Sequence, residues 1–133
     1  NQVAIYETED GKIKVDVRFE HENLWLTQKL MAALFECSTD NISLHLKNIF
    51  QEGELAEEAT CKDFLQVQTE GSRQIQRSRR FYNLDAIISV GYRVKSHVAT
   101  KFRQWATLCL REYKEVKKLE KSKPRNTRKG KKK

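Results

Sequence analysis

What this chain has little of narrows the field first. It carries one proline, five glycines and three cysteines in 133 residues, which excludes collagen-like repeats, proline- and glycine-rich disorder and a disulfide-stapled mini-protein. Cys37, Cys61 and Cys109 are odd in number, widely spaced and never in a C-x-x-C pair, so a reducing compartment is expected, with all three as small core residues. No apolar run approaches the roughly 20 residues of a membrane span. The sequence opens on a strand-like stretch, Val3-Ala4-Ile5-Tyr6, with neither a basic nor an apolar leader region. A cytoplasmic protein without a membrane partner is the expectation.

The marks of catalysis are missing as well. G-x-x-x-x-G-K-[ST], H-E-x-x-H, G-x-S-x-G and G-x-G-x-x-G do not occur. His21, His45 and His97 stand apart from one another and from the cysteines, so a zinc site would have to be assembled by tertiary proximity alone. Glu57, Glu58 and Asp63 read as a solvated acidic loop. The sequence therefore predicts a non-enzyme with no cofactor and no metal.

What is present begins with charge. The formal net charge is +8, but residues 111–133 hold 12 lysines and arginines against three glutamates, which leaves residues 1–110 at −1. Within that body residues 1–70 carry −8 and residues 71–110 carry +7. A polyanion should meet the second half first. With 38% apolar residues there is enough for one core.

Val3 to Glu7 and Ile13 to Phe19 alternate apolar and polar residues around Glu9-Asp10-Gly11-Lys12, a hairpin signal. On the second run Ile13, Val15, Val17 and Phe19 share one face, which is assigned to the core. Leu24-Trp25-Leu26 leads to Thr27, an N-cap for a helix over Gln28–Phe35. Ser38-Thr39-Asp40-Asn41 then caps a second helical stripe of Ile42, Leu46, Ile49 and Phe50. Two short helices joined by a three-residue turn have the spacing of a helix-turn-helix, with Ala32 at the close approach and Ile42 packing back. Glu36 stands where many such motifs have a glycine of positive φ, which predicts a turn built differently. Thr39, Asn41, Ser43, His45 and Asn48 are the candidates for reading base edges. An antiparallel helix pair of a mixed domain is the plainer alternative.

Phe64 to Gln68 and Gln74 to Tyr82 form a second hairpin around Glu70-Gly71-Ser72-Arg73. A hairpin directly after a helix-turn-helix is a wing, and Arg73, Arg77, Arg79 and Arg80 on it are suited to gripping phosphates. An ordinary solvated strand is the competing reading. Asn83-Leu84-Asp85-Ala86 starts a helix through Val90, interrupted at Gly91. Ser96 caps a long helix whose Val98, Phe102, Trp105, Cys109, Tyr113 and Val116 recur every three or four residues, as a core stripe or dimer seam does. From Lys114 to Lys133 apolar periodicity fades, and a basic disordered tail is expected.

Three stretches carry a resemblance: Leu24 to Gln28, Leu34 to Ile49, and Phe81 to Val94. In them the chain resembles the RhuM-type virulence-protein family of bacteria over roughly residues 1–113, and after Tyr113 it departs into the basic tail. Lys101-Phe102-Arg103-Gln104-Trp105 is also similar to the F-R-x-W element of the Bro-N domain of phage antirepressors. The resemblance implies a DNA-binding protein encoded on mobile or pathogenicity-associated DNA. Together these readings predict an α+β domain over 1–113, made of an N-terminal β-hairpin, a winged helix-turn-helix and a long C-terminal helix, with a tail over 114–133. The function that follows is a transcriptional or mobile-element regulator binding double-stranded DNA through 39–50 and 64–82, with a homodimer through the long helix as a possible assembly. The alternative is a protein-interaction or oligomerisation module without sequence-specific DNA binding.

Overall fold

The computed structural model describes residues 2–122, with side chains through Tyr113. The chain opens with β1 (Gln2–Glu7) and β2 (Lys14–Glu20), antiparallel with Tyr6 opposite Val15 and Ala4 opposite Val17. Gly11 takes φ 73° in the connection, and the Asp10 carboxylate accepts from the Lys12 amide at 3.0 Å. That hydrogen bond, with one from the Thr8 hydroxyl, holds the Asp10 carboxyl below the usual aspartate range. Tyr6, Val15, Val17 and Phe19 are buried on one face and Ile13 packs at its margin, as the alternation predicts.

A strand that has no signal in the sequence comes next, β3 (Asn23–Leu26). It pairs with β2 through a two-residue turn in which His21 and Glu22 both take positive φ, 53° and 56°. Such a turn ordinarily carries Asn-Gly, so His-Glu gives no warning of it.

Thr27 caps α1 (Gln28–Phe35), its hydroxyl accepting from the Leu30 amide at 3.2 Å, and Ser38 caps α2 (Thr39–Gln51) by accepting from Asn41 at 3.0 Å. Each cap contributes about 1 kcal/mol. Between them Glu36 adopts φ 56°, ψ 53°. The turn is therefore built as a glycine would build it, contrary to the expectation of a different construction. The cost of an αL backbone at a residue with a Cβ is about 1–2 kcal/mol, and an ion pair from Lys95 to the Glu36 carboxylate accompanies it.

A single turn, α3 (Glu57–Thr60), leads into the long hairpin of β4 (Cys61–Glu70) and β5 (Arg73–Asn83), closed at Gly71 with φ 63°. The sheet order is β1-β2-β3-β5-β4, so β3 joins the two hairpins through Trp25 opposite Asn83 and Leu26 opposite Tyr82. Asn83 then caps α4 (Leu84–Val94), accepting from Ala86 at 3.2 Å. The helix passes through Gly91 without interruption. A Cβ at Gly91 would stand 2.6 Å from both the Ala99 Cβ and the Phe35 Cζ, so the glycine lets three helices close together.

α5 (Ser96–Ser122) begins at Ser96 and runs past the boundary expected at Tyr113. Phe102 is fully buried and Trp105 packs edge-on to Tyr6 at 5.0 Å, so the F-R-x-W spacing serves the core here. Val116 and the basic stretch 123–133 lie outside the residues whose side chains, or whose backbone, are described. The helices cover one face of the sheet over a core of Leu24, Leu26, Met31, Leu34, Phe35, Ile42, Ile49 and their neighbours. The other face carries a smaller cluster, Trp25, Phe64 and Phe81. The Arg18 guanidinium lies over it, 4.3 Å from the Phe64 centroid, and is paired to Glu20 at 2.6 Å. Cys37, Cys61 and Cys109 are free and half-buried at the core margin rather than inside it. No helix among the described residues is long and apolar enough to cross a membrane.

Candidate nucleic-acid interface

The nine candidate residues sit on two elements and several surfaces. On α2, Ile42, Leu46 and Ile49 face the core, which turns Thr39 and Ser43 outward together with Leu44, Lys47 and Gln51. Asn41, His45 and Asn48 follow the adjoining stripe at spacings of four and three, and are half-buried. His45 turns Nδ1 inward, where it finds no hydrogen-bond partner among the described residues. Only its other ring nitrogen is left for an outside ligand. Lys47 is the one cation on this helix and Asp40 its one acid, so the outer face offers hydroxyls and amides with little charge.

The hairpin arginines divide by strand alternation. Arg73, Arg77 and Arg79 project to the face away from the helices, beside Gln66, Gln68 and Glu70, because Phe81 on the same parity enters the Trp25 cluster. Arg80 projects to the helix side, in step with Tyr82, which belongs to the main core. The four do not form one patch. Arg77 pairs with Glu70 at 2.8 Å, and Arg79 donates to the Gln68 amide oxygen at 3.5 Å. Arg80 lies between Asp63 at 3.3 Å and Glu57 at 3.5 Å. At exposed positions such pairs are worth at most about 1 kcal/mol. Arg73 and Arg79 have no carboxylate partner among the described residues.

Where α2 meets the base of the hairpin there is a hollow of about 300 Å³ between Gln28, Ser43, Lys47, Gln51 and Tyr82. The Gln28 amide donates to the Tyr82 hydroxyl at 2.9 Å, and burial raises that phenol above its ordinary pKa. Gln28, Lys47 and Gln51 are not among the residues that sequence reasoning selects. Their spacing to Ser43 on α2 would have found Lys47 and Gln51, whereas Gln28 reaches the hollow only because β3 pairs with β5. On the far side of α4, Arg93 holds Glu52 and Glu54, each at 2.8 Å. Hydrogen bonds from Arg93 and Ser89 keep the Glu54 carboxyl below the usual range. Among the described residues no group of three or more His, Cys, Asp or Glu stands together as a metal site.

Residues 59–131 match the Virulence protein RhuM family. That is more than half of the chain, and the chain belongs to this family. The match begins in α3 and continues through β4, β5, α4 and α5 into the basic stretch. It thus starts later and ends later than the resemblance drawn from the sequence, which stops at Tyr113. The N-terminal hairpin, β3 and the α1–α2 pair lie outside it. No curated protein and no solved structure matches the chain.

Proposed function

We propose that this chain is a non-catalytic, duplex-DNA-binding module in which β3, α1, α2, β4 and β5 work as a winged helix-turn-helix, serving a regulator of transcription or of a mobile element. The observation that carries the reading is the pairing of β3 with β5 across the helix pair. It makes the arginine-bearing hairpin the immediate flank of α1 and α2, in the element order of a wing after its recognition helix. In this reading Thr39, Asn41, Ser43, His45 and Asn48 meet base edges while Arg73, Arg77 and Arg79 meet phosphates. The basic stretch from Lys114 to Lys133 adds sequence-independent attraction through counterion release. Dimerisation through α5, whose Leu108 is exposed, would present two such modules to one duplex.

A gel-shift titration over a range of salt tests it. Replacing Arg73, Arg77 and Arg79 together by alanine should lower affinity at least tenfold and make the slope of log affinity against log salt shallower by about one for each phosphate that is no longer neutralised. Arg80→Ala should do less, since Asp63 and Glu57 already occupy that guanidinium. Asn41→Ala should relax preference at one or two base pairs at a cost of about 1–3 kcal/mol. Affinity that ignores all three changes would end the DNA reading.

A protein-interaction module is the second reading, and one observation favours it. Leu44 on α2 and Leu65 and Val67 on the helix-side face of the hairpin are exposed at 55%, 62% and 60%. Binding through them would barely respond to salt, so the same titration separates the two.

A further inference from the structure

β3 is four residues long, whereas its neighbours β2 and β5 have seven and eleven. It pairs with β2 only at Arg18, Phe19 and Glu20, and with β5 only at Tyr82 and Asn83. Beyond Leu26 the chain turns away into α1 and leaves a gap in the sheet. Residues 73–81 of β5 therefore have a strand on the β4 side alone, and residues 14–17 of β2 on the β1 side alone. A cleft of about 650 Å³ opens between these two edges. Asp16 and Arg18 stand on one wall, Gln66, Gln68 and Arg79 on the other, and the start of α1, including Lys29, closes the end.

We propose that this gap is a docking groove for an extended, acidic peptide segment of a partner protein, which adds as a strand to the free edge of β5. Two features select that occupant. A free strand edge presents alternating N–H and C=O groups, and another polypeptide backbone matches both, whereas a phosphodiester backbone offers acceptors without the N–H donors the carbonyls need. The edge from 73 to 81 contains no proline, and among the described residues no strand pairs with it on the β3 side. The second feature is charge. Of the cations around the cleft Arg18 is committed to Glu20, and Arg80 to Asp63 and Glu57. Lys29 and Arg79 have no carboxylate partner among the described residues, and Asp16 is the one acid on the lining. Carboxylates at alternate positions of an added strand would meet Lys29 and Arg79 while the backbone pairs with β5. The groove shares Arg79 with the DNA reading but rests on the sheet edge and on Lys29, which that reading does not use, so the test is made at Lys29 and Asp16.

The test uses the full chain and a labelled octapeptide alternating glutamate with valine or threonine. Its control has the same charge with proline at every second position, which removes the N–H donor at each of those positions and breaks the strand ladder. The basic stretch attracts both peptides alike, so their difference reports strand addition. The alternating peptide should bind about tenfold more tightly than the control and slow amide exchange along 73–81 of β5. Lys29→Glu should weaken it about five- to tenfold and Asp16→Lys should strengthen it. Both side chains are exposed, and an unchanged circular-dichroism spectrum confirms that the fold is kept. Equal binding of the two peptides, absence of protection at 73–81, or indifference to both charge changes would overturn the proposal. Protection of that edge by an oligonucleotide and not by the peptide would assign the cleft to nucleic acid instead.

Discussion

The molecule contains two antiparallel hairpins of similar local construction and opposite dependence on the core. In β1–β2 every second residue from Val15 to Phe19 is buried against the helices. In β4–β5 only the base is covered, at Phe64, Phe81, Tyr82 and Asn83, while β5 has no buried residue from Arg73 to Arg80. The first hairpin is held by apolar burial, the second by its own ladder from Cys61–Tyr82 to Glu70–Arg73. The lesson is a separation of roles. Side chains on the protruding hairpin are free to serve binding because stability asks little of them.

The sharpest way to break that contrast is a matched pair of truncations. Phe19→Ala in the first hairpin should cost about 3–5 kcal/mol in urea unfolding, whereas Leu65→Ala in the second should stay within about 0.5 kcal/mol. Comparable losses at the two sites would abolish the distinction. Next in size is Gly91→Ala, which forces a methyl against Ala99 and the buried Phe35 ring where α1, α4 and α5 meet. Overpacking there should cost about 1–3 kcal/mol, read as a fall in the melting temperature.

The turns sharpen the comparison further. Gly11 and Gly71 give each hairpin a residue suited to positive φ, but the β2–β3 turn carries His21 and Glu22 there. Replacing that pair by Asn-Gly should stabilise the chain by about 1 kcal/mol. The smallest effect concerns pH. Hydrogen bonding to Arg18 first, and proximity to that guanidinium besides, hold the Glu20 carboxyl below the ordinary glutamate range. A lowered carboxylate contributes stability above its unfolded pKa, near 4.5, and that contribution is lost as pH falls through the folded value. Glu20→Gln should therefore narrow the difference in stability between pH 6 and pH 3.

Local signals wrote much of this fold into the sequence. Thr27 and Ser38 mark the starts of α1 and α2 because capping is decided within four residues, and Gly11 and Gly71 mark two turns because positive φ favours glycine. β3 escapes because His21-Glu22 adopts a backbone that its composition does not advertise. Gly91 reads as a break because its purpose is tertiary, a close approach to Ala99 that only the assembled helices reveal. The run after Tyr113 reads as a tail from its charge, although lysine and glutamate are good helix formers and α5 continues through them to Ser122. At the candidate interface, strand parity already separates Arg80 from Arg77 and Arg79, but its carboxylate partners Glu57 and Asp63 come from an element and a strand that pairing alone brings near.

The junction of β3 with β5 has a kinetic side. Three of the four strand pairings join neighbours in the sequence, and this one alone spans α1, α2, α3 and the long hairpin between residues 25–26 and 82–83. Local hairpins close in microseconds, while a contact of such sequence separation must first meet the entropy of a long loop. The two tryptophans are divided across that sequence of events. Trp25 sits in the small cluster with Phe64 and Phe81 that forms only when the junction closes, and Trp105 sits against Tyr6 and Phe102 where α5 docks. A stopped-flow trace from a chain retaining one tryptophan at a time is expected to time the stitching of the sheet separately from the arrival of the last helix.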